Sequence, residues 1–383
     1  MVGRNIRMKE RILYIGGFEL PDKNAAAQRV LGISYSLVDL NYDVKLIGIS
    51  KSQKEISTDN SYNGIIYESL PYPNGFINWI KYLLGLNGVL DKMKYERPKK
   101  VILYNYPSFA IWRIIRFCKK HNIKIYADVT EWYEGEGSLI KRVIKTFDVN
   151  WRMKVLHFKL DGLIVISRFL RDFYSTRINT VEIPPTFDIQ DTKFQSLTIG
   201  GEISNDNIIR LVYSGSPGGG NKDRLDVIVN NVVKYSNISF TIVGITYDQY
   251  VDQFGVIENL NNIRFLGRLP HQKAINIVKK SDFTIFYRGD TLTNKAGFST
   301  KFAESVTLGI PVITNSSSNL AEYIKKYNVG LLVEGFDVYS FAEVIEYVSK
   351  LTSEDILELK NNCKEFQPFY YKRFNDELKE FLR

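Results

Sequence analysis

Short, strongly apolar runs recur along the chain and alternate with segments of helix length. They cover residues 11–15, 43–48, 100–104, 123–127 and 162–166, and then 209–214, 239–244, 262–266, 283–287, 311–314 and 330–333. Continuous apolar runs of this length are typical of parallel strands that helices cover on both faces. The pattern therefore predicts an α/β protein with two Rossmann-like, doubly wound domains.

A chain of 383 residues has room for two such domains. The boundary is expected between residues 183 and 207, where Pro184 and Pro185 precede a polar, glycine-containing stretch without clear periodicity. We predict domains at 1–190 and 191–365, and a C-terminal helix at 366–383 that crosses back to the first domain. Because ligand loops follow the carboxyl ends of parallel strands, the two domains are expected to face a shared cleft.

Cysteine content and hydropathy argue against a disulfide-stabilised protein, a cysteine metal site and a membrane-spanning or secreted protein. Cys118 and Cys363 are the only cysteines, and their separation offers neither a disulfide framework nor metal-ligand spacing. No apolar run approaches the roughly 18 residues that span a bilayer, and glycines interrupt the N-terminal apolar run before it could serve as a signal peptide. These features predict a cytoplasmic protein that is soluble or lies on a membrane.

Lysine and arginine outnumber aspartate and glutamate by 51 to 42, which gives a net charge of +9. A basic surface favours nucleic acid, acidic lipid headgroups or phosphorylated small molecules. No nucleic-acid-binding module is recognisable, so nucleic acid is not expected as a partner. Residues 75–100 and 139–159 mix apolar side chains with lysine and arginine at helical spacing. They predict interfacial helices on anionic lipid, although helices packed on a sheet with solvated basic faces fit the same pattern.

Two glycine-containing loops follow predicted strands, and both suit phosphate binding. Their residues of interest are Gly16, Gly17, Ser216, Gly218 and Gly219. Glycines let backbone amides approach an anion, and a helix N-terminus adds partial positive charge. Lys222, at the end of the second loop, could reach an anionic group. Ordinary turns fit these residues as well, and neither loop has the Walker or the dinucleotide-binding pattern.

The segment 297–314, GFSTKFAESVTLGIPVIT, is the most informative part of the sequence. After Phe298, Ser299 caps a predicted helix, so the amides that follow, including that of Thr300, would point at an anion. Lys301 and Glu304 lie one turn apart on this helix, where the lysine suits a distal phosphate and the glutamate suits ribose hydroxyls. A nucleoside diphosphate satisfies both side chains. An ordinary capped helix with an exposed ion pair is the alternative.

The order of these features resembles the donor-binding domain of glycosyltransferase family 4, which is retaining and has the GT-B fold. The resemblance rests on the glycine loop with its lysine, the strand end TIVG, and the stretches FLGRLPHQKAINIVKKSDFTIF and STKFAESVTLGIPVIT, and it covers residues 209–334 and, more loosely, the first domain. It implies that Glu304 holds the ribose, that the preceding loop binds the phosphates and that Lys222 steadies the diphosphate leaving group. The first domain would then bind the acceptor and the second the donor.

The chain departs from the family's pattern at two positions. Ala296 stands where the first glutamate of a paired-glutamate motif is expected, and Ser216 stands where an arginine is expected. The chain instead resembles a Ser-x-Lys-x-x-Glu variant of the motif. Lys301 and Arg288 are expected to supply the missing positive charge, whereas Ala296 leaves the donor sugar open and favours a protein without catalysis as an alternative.

In the first domain, the stretch YADVTEWYEG at 126–135 follows a predicted strand and is similar to an Asp-x-x-Glu-Trp-Tyr stretch of some family members. Asp128 or Glu131 could orient the acceptor hydroxyl, and a structural loop fits equally well. Arg168 follows a further strand, where the family often has a basic residue close to the donor phosphates. Ser167, just before it, could simply cap a helix.

The resemblance implies a retaining glycosyltransferase that moves a sugar from a nucleoside-diphosphate sugar to a hydroxyl of a glycan or lipid-linked glycan, in bacterial surface-polysaccharide synthesis. Lysines and helix amides would stabilise the leaving diphosphate, so no metal and no cofactor beyond the donor substrate is expected. The predicted catalytic residues are Asp128, Glu131, Lys222 and Lys301. The predicted donor-binding residues are Gly16, Gly17, Arg168, Ser216, Gly218, Gly219, Lys222, Arg288, Phe298, Ser299, Thr300, Lys301 and Glu304. A non-catalytic sugar-nucleotide-binding subunit and a sugar-nucleotide epimerase of the same two-domain shape are the alternatives.

Overall fold

The computed structural model describes residues 9–21, 23–52, 60–133, 139–195, 207–218 and 222–383. The chain divides into two compact units, one made of Met1–Thr186 with Tyr371–Arg383 and the other of Phe187–Tyr370. Each unit is built on a sheet of mainly parallel strands with helical connections. The predicted α/β class with two Rossmann-like domains is confirmed.

The first unit contains an eight-stranded sheet. Its strands are β1 (Arg11–Gly16), β2 (Asp43–Ser50), β3 (Asn60–Tyr62), β4 (Ile65–Pro71), β5 (Lys100–Tyr104), β6 (Lys124–Val129), β7 (Gly162–Val165) and β8 (Thr180–Glu182). They are arranged in the order β3-β4-β2-β1-β5-β6-β7-β8, and only the pair of β3 and β4 is antiparallel. The helices are α1 (Ala25–Asp39), α2 (Gly75–Leu83), α3 (Val89–Glu96), α4 (Ser108–His121), α5 (Leu139–Trp151) and α6 (Arg168–Tyr174).

Three strands of this sheet, β3, β4 and β8, were missing from the sequence prediction. All lie at or near a sheet edge, where a strand needs no continuous apolar run because part of it meets water. The segment 75–100 also differs from a single interfacial helix. It forms α2 and α3, because the chain between them turns at Gly85 and Gly88, whose φ angles are 65° and 82°.

The second unit contains a six-stranded, fully parallel sheet. Its strands are β9 (Ile209–Ser214), β10 (Ile238–Val243), β11 (Ile263–Phe265), β12 (Phe283–Ile285), β13 (Val312–Asn315) and β14 (Gly330–Val333), in the order β11-β10-β9-β12-β13-β14. The helices are α7 (Leu225–Val232), α8 (Tyr247–Phe254), α9 (His271–Lys279), α10 (Leu292–Ala296), α11 (Thr300–Thr307), α12 (Leu320–Tyr327), α13 (Val338–Val348) and α14 (Ser353–Phe366). All eleven predicted strands are present in the two sheets.

The C-terminal segment is not the single helix expected at 366–383. α14 ends at Phe366, and after a turn and a bridge from Tyr370 to Phe187 the chain forms a 3-10 turn (Tyr371–Phe374) and α15 (Asn375–Phe381). α15 is part of the first unit, where Leu378 and Phe381 join the buried core beside β6 and β7. Among the described residues, no helix combines the length and the hydropathy needed to cross a bilayer.

Candidate functional site

The carboxyl edge of the second sheet carries most of the predicted site residues. β9 and β12 are neighbours at the centre of this sheet, so the loops that follow them lie side by side although some 70 residues separate them in sequence. The loop after β9 leads to Lys222 and Asp223, and the loop after β12 leads through Arg288 to α10 and α11. A bridge between Asp223 and Arg288 joins the two loops.

A buried charge cluster lies where these loops meet. Its centre is Asp223, whose side chain is 2% exposed. The Lys301 ammonium is hydrogen-bonded to Asp223 Oδ2 and also donates to the Tyr213 hydroxyl at 2.9 Å. Tyr213 in turn donates to Asp223 Oδ2 at 2.8 Å, and Arg288 Nε lies 3.5 Å from Asp223 Oδ1. One carboxylate therefore holds two cations.

Charge and burial act together on the titration of this cluster. Burial works to raise the pKa of Asp223, but the charges of Lys301 and Arg288 prevail and hold it below its ordinary value. Burial lowers the pKa of Lys301, and the neighbouring cations Arg288 and Lys222 add to that effect while Asp223 opposes it. Lys301 and Arg288 thus share the one buried carboxylate of Asp223, and the charge of Lys222 acts on Lys301.

Two glycines make the cluster possible. Gly215 follows β9 with a φ of 140°, and a Cβ atom on it would lie 2.6 Å from Lys301 Cε. Gly244 follows β10 with a φ of 124°, and its Cβ would lie 2.0 Å from the carbonyl oxygen of Gly215. A side chain at Gly215 would displace the end of Lys301, and one at Gly244 would displace the backbone of Gly215.

The Arg288 loop is held by amide side chains. Asn315, at the end of β13, accepts from the Arg288 backbone N–H and donates to its carbonyl oxygen, at 3.0 and 2.8 Å. Asn294 donates to the carbonyl oxygens of Lys222 and Gly289 at 3.0 and 2.8 Å. Buried polar atoms without a hydrogen-bond partner among the described residues occur here: Asp223 Oδ1, Arg288 Nε, Asn294 Oδ1, Thr314 Oγ1 and Ser317 Oγ. Such atoms suit a site that binds a polar ligand.

The start of α11 has the predicted cap. Ser299 Oγ accepts from the backbone N–H of Phe302 at 3.3 Å, and Thr300 is the first residue of the helix. The Phe298 side chain is buried in an aromatic cluster with Phe302, Tyr323 and Phe369, which fixes the loop ahead of the helix. The side chain of Phe298 therefore packs in the core of the unit, and its backbone is what remains for ligand contact.

Glu304 and Lys301 do not form the exposed ion pair that was the alternative for this helix. Lys301 contacts Asp223, whereas Glu304 Oε1 lies 2.9 Å from His271 Nε2 at the start of α9. Asp223 and His271 received no role from the sequence. The only signal was the position of Asp223 directly after Lys222, and for His271 there was none.

The remaining predicted residues of this loop lie around the cluster. Ser216 is exposed, and Gly218 has a φ of 76°, where a Cβ would lie 3.3 Å from Lys222 Cβ. Gly219 lies outside the described residues. Ala296 closes α10 and is 0% exposed, so the position where the family pattern has a glutamate faces the interior of the unit.

In the first unit, Asp128 is wholly buried at the end of β6. Its carboxylate accepts from Arg29 Nη2 at 3.0 Å and from the Tyr14 hydroxyl at 2.5 Å, and Arg29 is itself 2% exposed. Arg29 also donates to the carbonyl oxygens of Ile183 and Pro184, each at 2.6 Å. Contrary to the expectation that Asp128 could orient an acceptor hydroxyl, this carboxylate has no exposed surface and serves a structural ion pair.

Glu131 differs from Asp128 because it lies beyond the strand and is only half-buried. Close by, Asn105 donates to Thr130 Oγ1 at 2.6 Å, and Thr130 donates to the Tyr104 hydroxyl at 3.3 Å. Burial chiefly, and the charges of Asp128 and Glu131 in part, raise the pKa of Tyr104. Glu131 is thus the less buried residue of the pair, and its Oε2 is buried.

The other predicted residues of the first unit have local structural partners. A Cβ on Gly16 would lie 2.6 Å from Tyr104 Cβ on the adjacent strand, so close packing alone accounts for this glycine, whereas Gly17 has more room. Arg168 is partly exposed and lies 3.2 Å from Glu182. Ser167 caps α6, since its Oγ accepts from the N–H of Leu170.

Comparison with known proteins agrees with this architecture. Residues 220–367, most of the second unit, match the family model described as Glycosyl transferases group 1. No curated protein matches the chain in sequence.

Three solved structures show how widely the fold is shared. Sucrose-phosphate synthase from Thermosynechococcus elongatus aligns with a TM-score of 0.73 at 14% identity, over 98% of each chain. Anabaena HepE, in complex with UDP and glucose, aligns with a TM-score of 0.65 at 12% identity, over 97% of this chain and 99% of its own. WaaG, a glycosyltransferase involved in lipopolysaccharide biosynthesis, aligns with a TM-score of 0.64 at 11% identity, over 95% and 98%. At such identities these similarities establish the fold.

Proposed function

We propose that the protein is a retaining glycosyltransferase that transfers a sugar from a nucleoside-diphosphate sugar to a hydroxyl of a glycan or lipid-linked glycan. The observation that carries the proposal is the cluster of Lys222, Arg288 and Lys301 around Asp223 in the group 1 domain. Lys301 and Arg288 on the single carboxylate of Asp223 leave one positive charge at the cluster, which an anionic diphosphate would compensate. A buried excess of this kind is costly unless an anion compensates it.

The cluster also suits the chemical step. Negative charge develops on the diphosphate as its bond to the anomeric carbon breaks, and fixed cations at that point lower the barrier. The amides of Ser299 and Thr300 at the start of α11 add hydrogen-bond donors for the same phosphate. These groups supply the charge that a metal ion supplies in other transferases, so we propose a reaction that is independent of metals and of any further cofactor.

Glu304 is proposed as the ribose-binding residue. Glu304 lies on α11 after the Ser299 cap. Its Oε1 is 2.9 Å from Nε2 of His271, and this contact fixes the carboxylate. A carboxylate held in place by a second side chain accepts hydrogen bonds from two neighbouring hydroxyls with little loss of side-chain entropy. His271 is therefore a positioning residue in this proposal.

For the acceptor we propose Glu131 in preference to the buried Asp128. The acceptor oxygen forms a bond to the anomeric carbon on the face that the diphosphate leaves, and the hydroxyl proton passes to a base. Glu131 is the half-buried carboxylate at the end of β6 and could accept that proton or orient the hydroxyl. Retention of configuration follows from attack on the same face.

The finer features of the proposal come from the resemblance and from the fold. We propose membership of glycosyltransferase family 4, in the Ser-x-Lys-x-x-Glu variant. HepE is complexed with UDP and glucose, and WaaG acts in lipopolysaccharide biosynthesis. These neighbours favour a uridine diphosphate sugar as the first donor to test and a role in bacterial surface-polysaccharide synthesis.

One observation favours a second function, that of a non-catalytic sugar-nucleotide-binding subunit. Ala296 is buried where the family pattern has a glutamate that contacts the donor sugar. A protein without that contact could keep the nucleotide site and lack transfer.

The test is isothermal titration calorimetry with UDP and UDP-glucose on wild type, Lys301→Met and Glu304→Gln. Loss of a charged hydrogen bond of about 1.5–3 kcal/mol predicts an affinity roughly 10- to 150-fold weaker for Lys301→Met. Lys325→Met is the matched control, because Lys325 is exposed and paired only with Glu334 among the contacts described. No binding of any nucleoside diphosphate, or equal binding by all variants, would overturn the donor site. Binding without sugar transfer to glycan acceptors, both with EDTA and with added Mg²⁺, would favour the second function.

A further inference from the structure

An exposed apolar surface covers one part of the first unit. None of the residues of α2 is buried, although the helix contains one phenylalanine, one tryptophan and three large aliphatic side chains. Phe76 is 79% exposed and Ile77 is 68% exposed, and Trp79, Ile80 and Leu83 are each exposed by more than a third. A helix with this composition normally buries one face. On this chain Tyr82 packs against Tyr106 and Trp79 against Tyr72, whereas Phe76 and Ile77 are left largely exposed.

Two further helices continue the surface. The turn after α2 approaches the start of α4 closely, since a Cβ on Gly85 would lie 3.1 Å from the Cα of Ala110. Phe109 on α4 is exposed and contacts Trp151 at the end of α5, with ring centroids 4.7 Å apart. We name this region the α2–α5 surface. Its exposed apolar residues are Phe76, Ile77, Trp79, Ile80, Leu83, Phe109, Trp112, Val143, Ile144 and Phe147.

The charges on these helices are almost all positive. α2, α4 and α5 contain eight lysines and arginines and a single acidic residue, Asp148. Asp148 is engaged within the unit, because it accepts from the Ser108 backbone N–H at 2.9 Å at the start of α4. Arg142 and Lys145 are exposed beside Val143 and Ile144, and Arg116 lies 4.9 Å above the ring of Trp112. Apolar and cationic groups therefore share one surface.

We infer that the α2–α5 surface binds the headgroup region of an anionic lipid bilayer, with α2 lying in the plane of the interface. Aromatic and aliphatic side chains enter the boundary between headgroups and acyl chains, and the cations contact lipid phosphates. A symmetric contact between two copies of the chain fits less well, because it would bring the same cations of both copies together. The inference does not depend on the proposed transferase activity.

Vesicle co-sedimentation tests the inference without nucleotide or acceptor. We expect the protein to bind phosphatidylcholine vesicles that contain phosphatidylglycerol, and to bind vesicles of phosphatidylcholine alone at least about tenfold more weakly. The variant Phe76→Ser/Ile77→Ser/Phe147→Ser should lose at least about tenfold in binding to the anionic vesicles. All three side chains are exposed, so circular dichroism should show an unchanged melting temperature.

The matched control is Val256→Ser/Val338→Ser/Tyr339→Ser. These side chains of the second unit are similarly exposed, at 76%, 51% and 85%, but lie outside the α2–α5 surface, so this variant should bind like wild type. The inference is overturned by three outcomes: no binding of wild type to anionic vesicles, equal binding by the Phe76 variant, or equal binding to neutral vesicles. It is also overturned if sedimentation velocity finds a wild-type dimer in free solution that the Phe76 variant converts to a monomer, since the surface would then join two copies of the chain.

Discussion

Asp223→Asn is the substitution that the charge cluster makes most informative. Asp223 is buried and is the carboxylate that Lys301, Arg288 and Tyr213 share. Asparagine keeps the shape and a hydrogen-bond acceptor for Tyr213 but removes the charge. Two neighbouring cations are then left without their compensating carboxylate, and Lys301 cannot fully rejoin water because its side chain is 20% exposed.

The expected cost follows from the burial of the pair. Removing one partner of a buried ion pair costs about 3–5 kcal/mol, and we take the lower end because Lys301 keeps some contact with solvent. In a unit of roughly 180 residues, each kcal/mol shifts Tm by about 2–4 °C, so Asp223→Asn should lower the Tm of the second unit by about 6–12 °C. The folded-state pKa of Asp223 is below its ordinary value, so the wild type has this stabilisation at neutral pH and loses it only as the pH falls below about 3.9.

Nucleotide should partly reverse the defect. UDP brings negative charge to the same cations, and in the variant it no longer meets the repulsion of Asp223. We therefore expect UDP at saturating concentration to raise the Tm of Asp223→Asn by more than it raises that of wild type, as followed by differential scanning calorimetry. Asp226→Asn is the control, because Asp226 is paired with Arg224 near the surface and should cost less than about 1 kcal/mol.

Two results would refute this reasoning in different ways. If Asp223→Asn melted within about 2 °C of wild type, the ion pairs would not stabilise the unit as argued. If the variant were destabilised but UDP raised its Tm no more than that of wild type, the cluster would be structural and the diphosphate would bind elsewhere.

Three further predictions concern single positions. Because burial lowers the pKa of Lys301, the affinity for UDP-glucose should fall as the pH rises from 7 toward 10, and Lys301→Arg should remove that decline in calorimetric titrations; a flat wild-type profile would contradict it. Gly88→Ala, at a left-handed φ of 82° with open space around it, should cost about 1 kcal/mol, whereas Gly244→Ala, with a Cβ 2.0 Å from a carbonyl oxygen, should cost at least about twice as much in thermal denaturation, and equal losses would argue against the close approach. Asp128→Asn should lower stability by about 3 kcal/mol, whereas Glu131→Gln should reduce transfer while its stability stays within about 0.5 kcal/mol of wild type; the reverse pattern would restore Asp128 as the acceptor residue.

The central strands of both sheets could be predicted from the sequence because their residues are apolar on both faces. β5, β9 and β14 have the predicted bounds, since burial on both sides leaves few polar positions that could blur the ends. β3, β4 and β8 were missed because edge strands and their neighbours carry polar residues. The helix starts at Ser167 and Ser299 could also be predicted from the sequence, because a capping hydrogen bond joins residues only three positions apart.

Within the candidate site, the sequence identified residue types and left their partners open. Lys222, Lys301 and Glu304 could be singled out by their place after a glycine loop or on a capped helix. The electrostatic partner of Lys301 is 78 residues away in sequence, and that of Glu304 is 33 residues away. Asp128 was selected for its position after a strand, and its pairing with Arg29, 99 residues away, changed that assignment.

Local sequence thus determined where strands and helices begin, because hydropathy, glycine placement and capping act over a few residues. Only the tertiary structure decided which charges meet, since β9 and β12 become neighbours through the order of the sheet and bring Asp223 to Lys301 and Arg288. The same holds for α2, whose sequence fits both an interfacial helix and a helix packed on a sheet, and whose residues the packing leaves without a buried member. Pairing and exposure are properties of the packed chain, because both depend on distances that sequence spacing does not set.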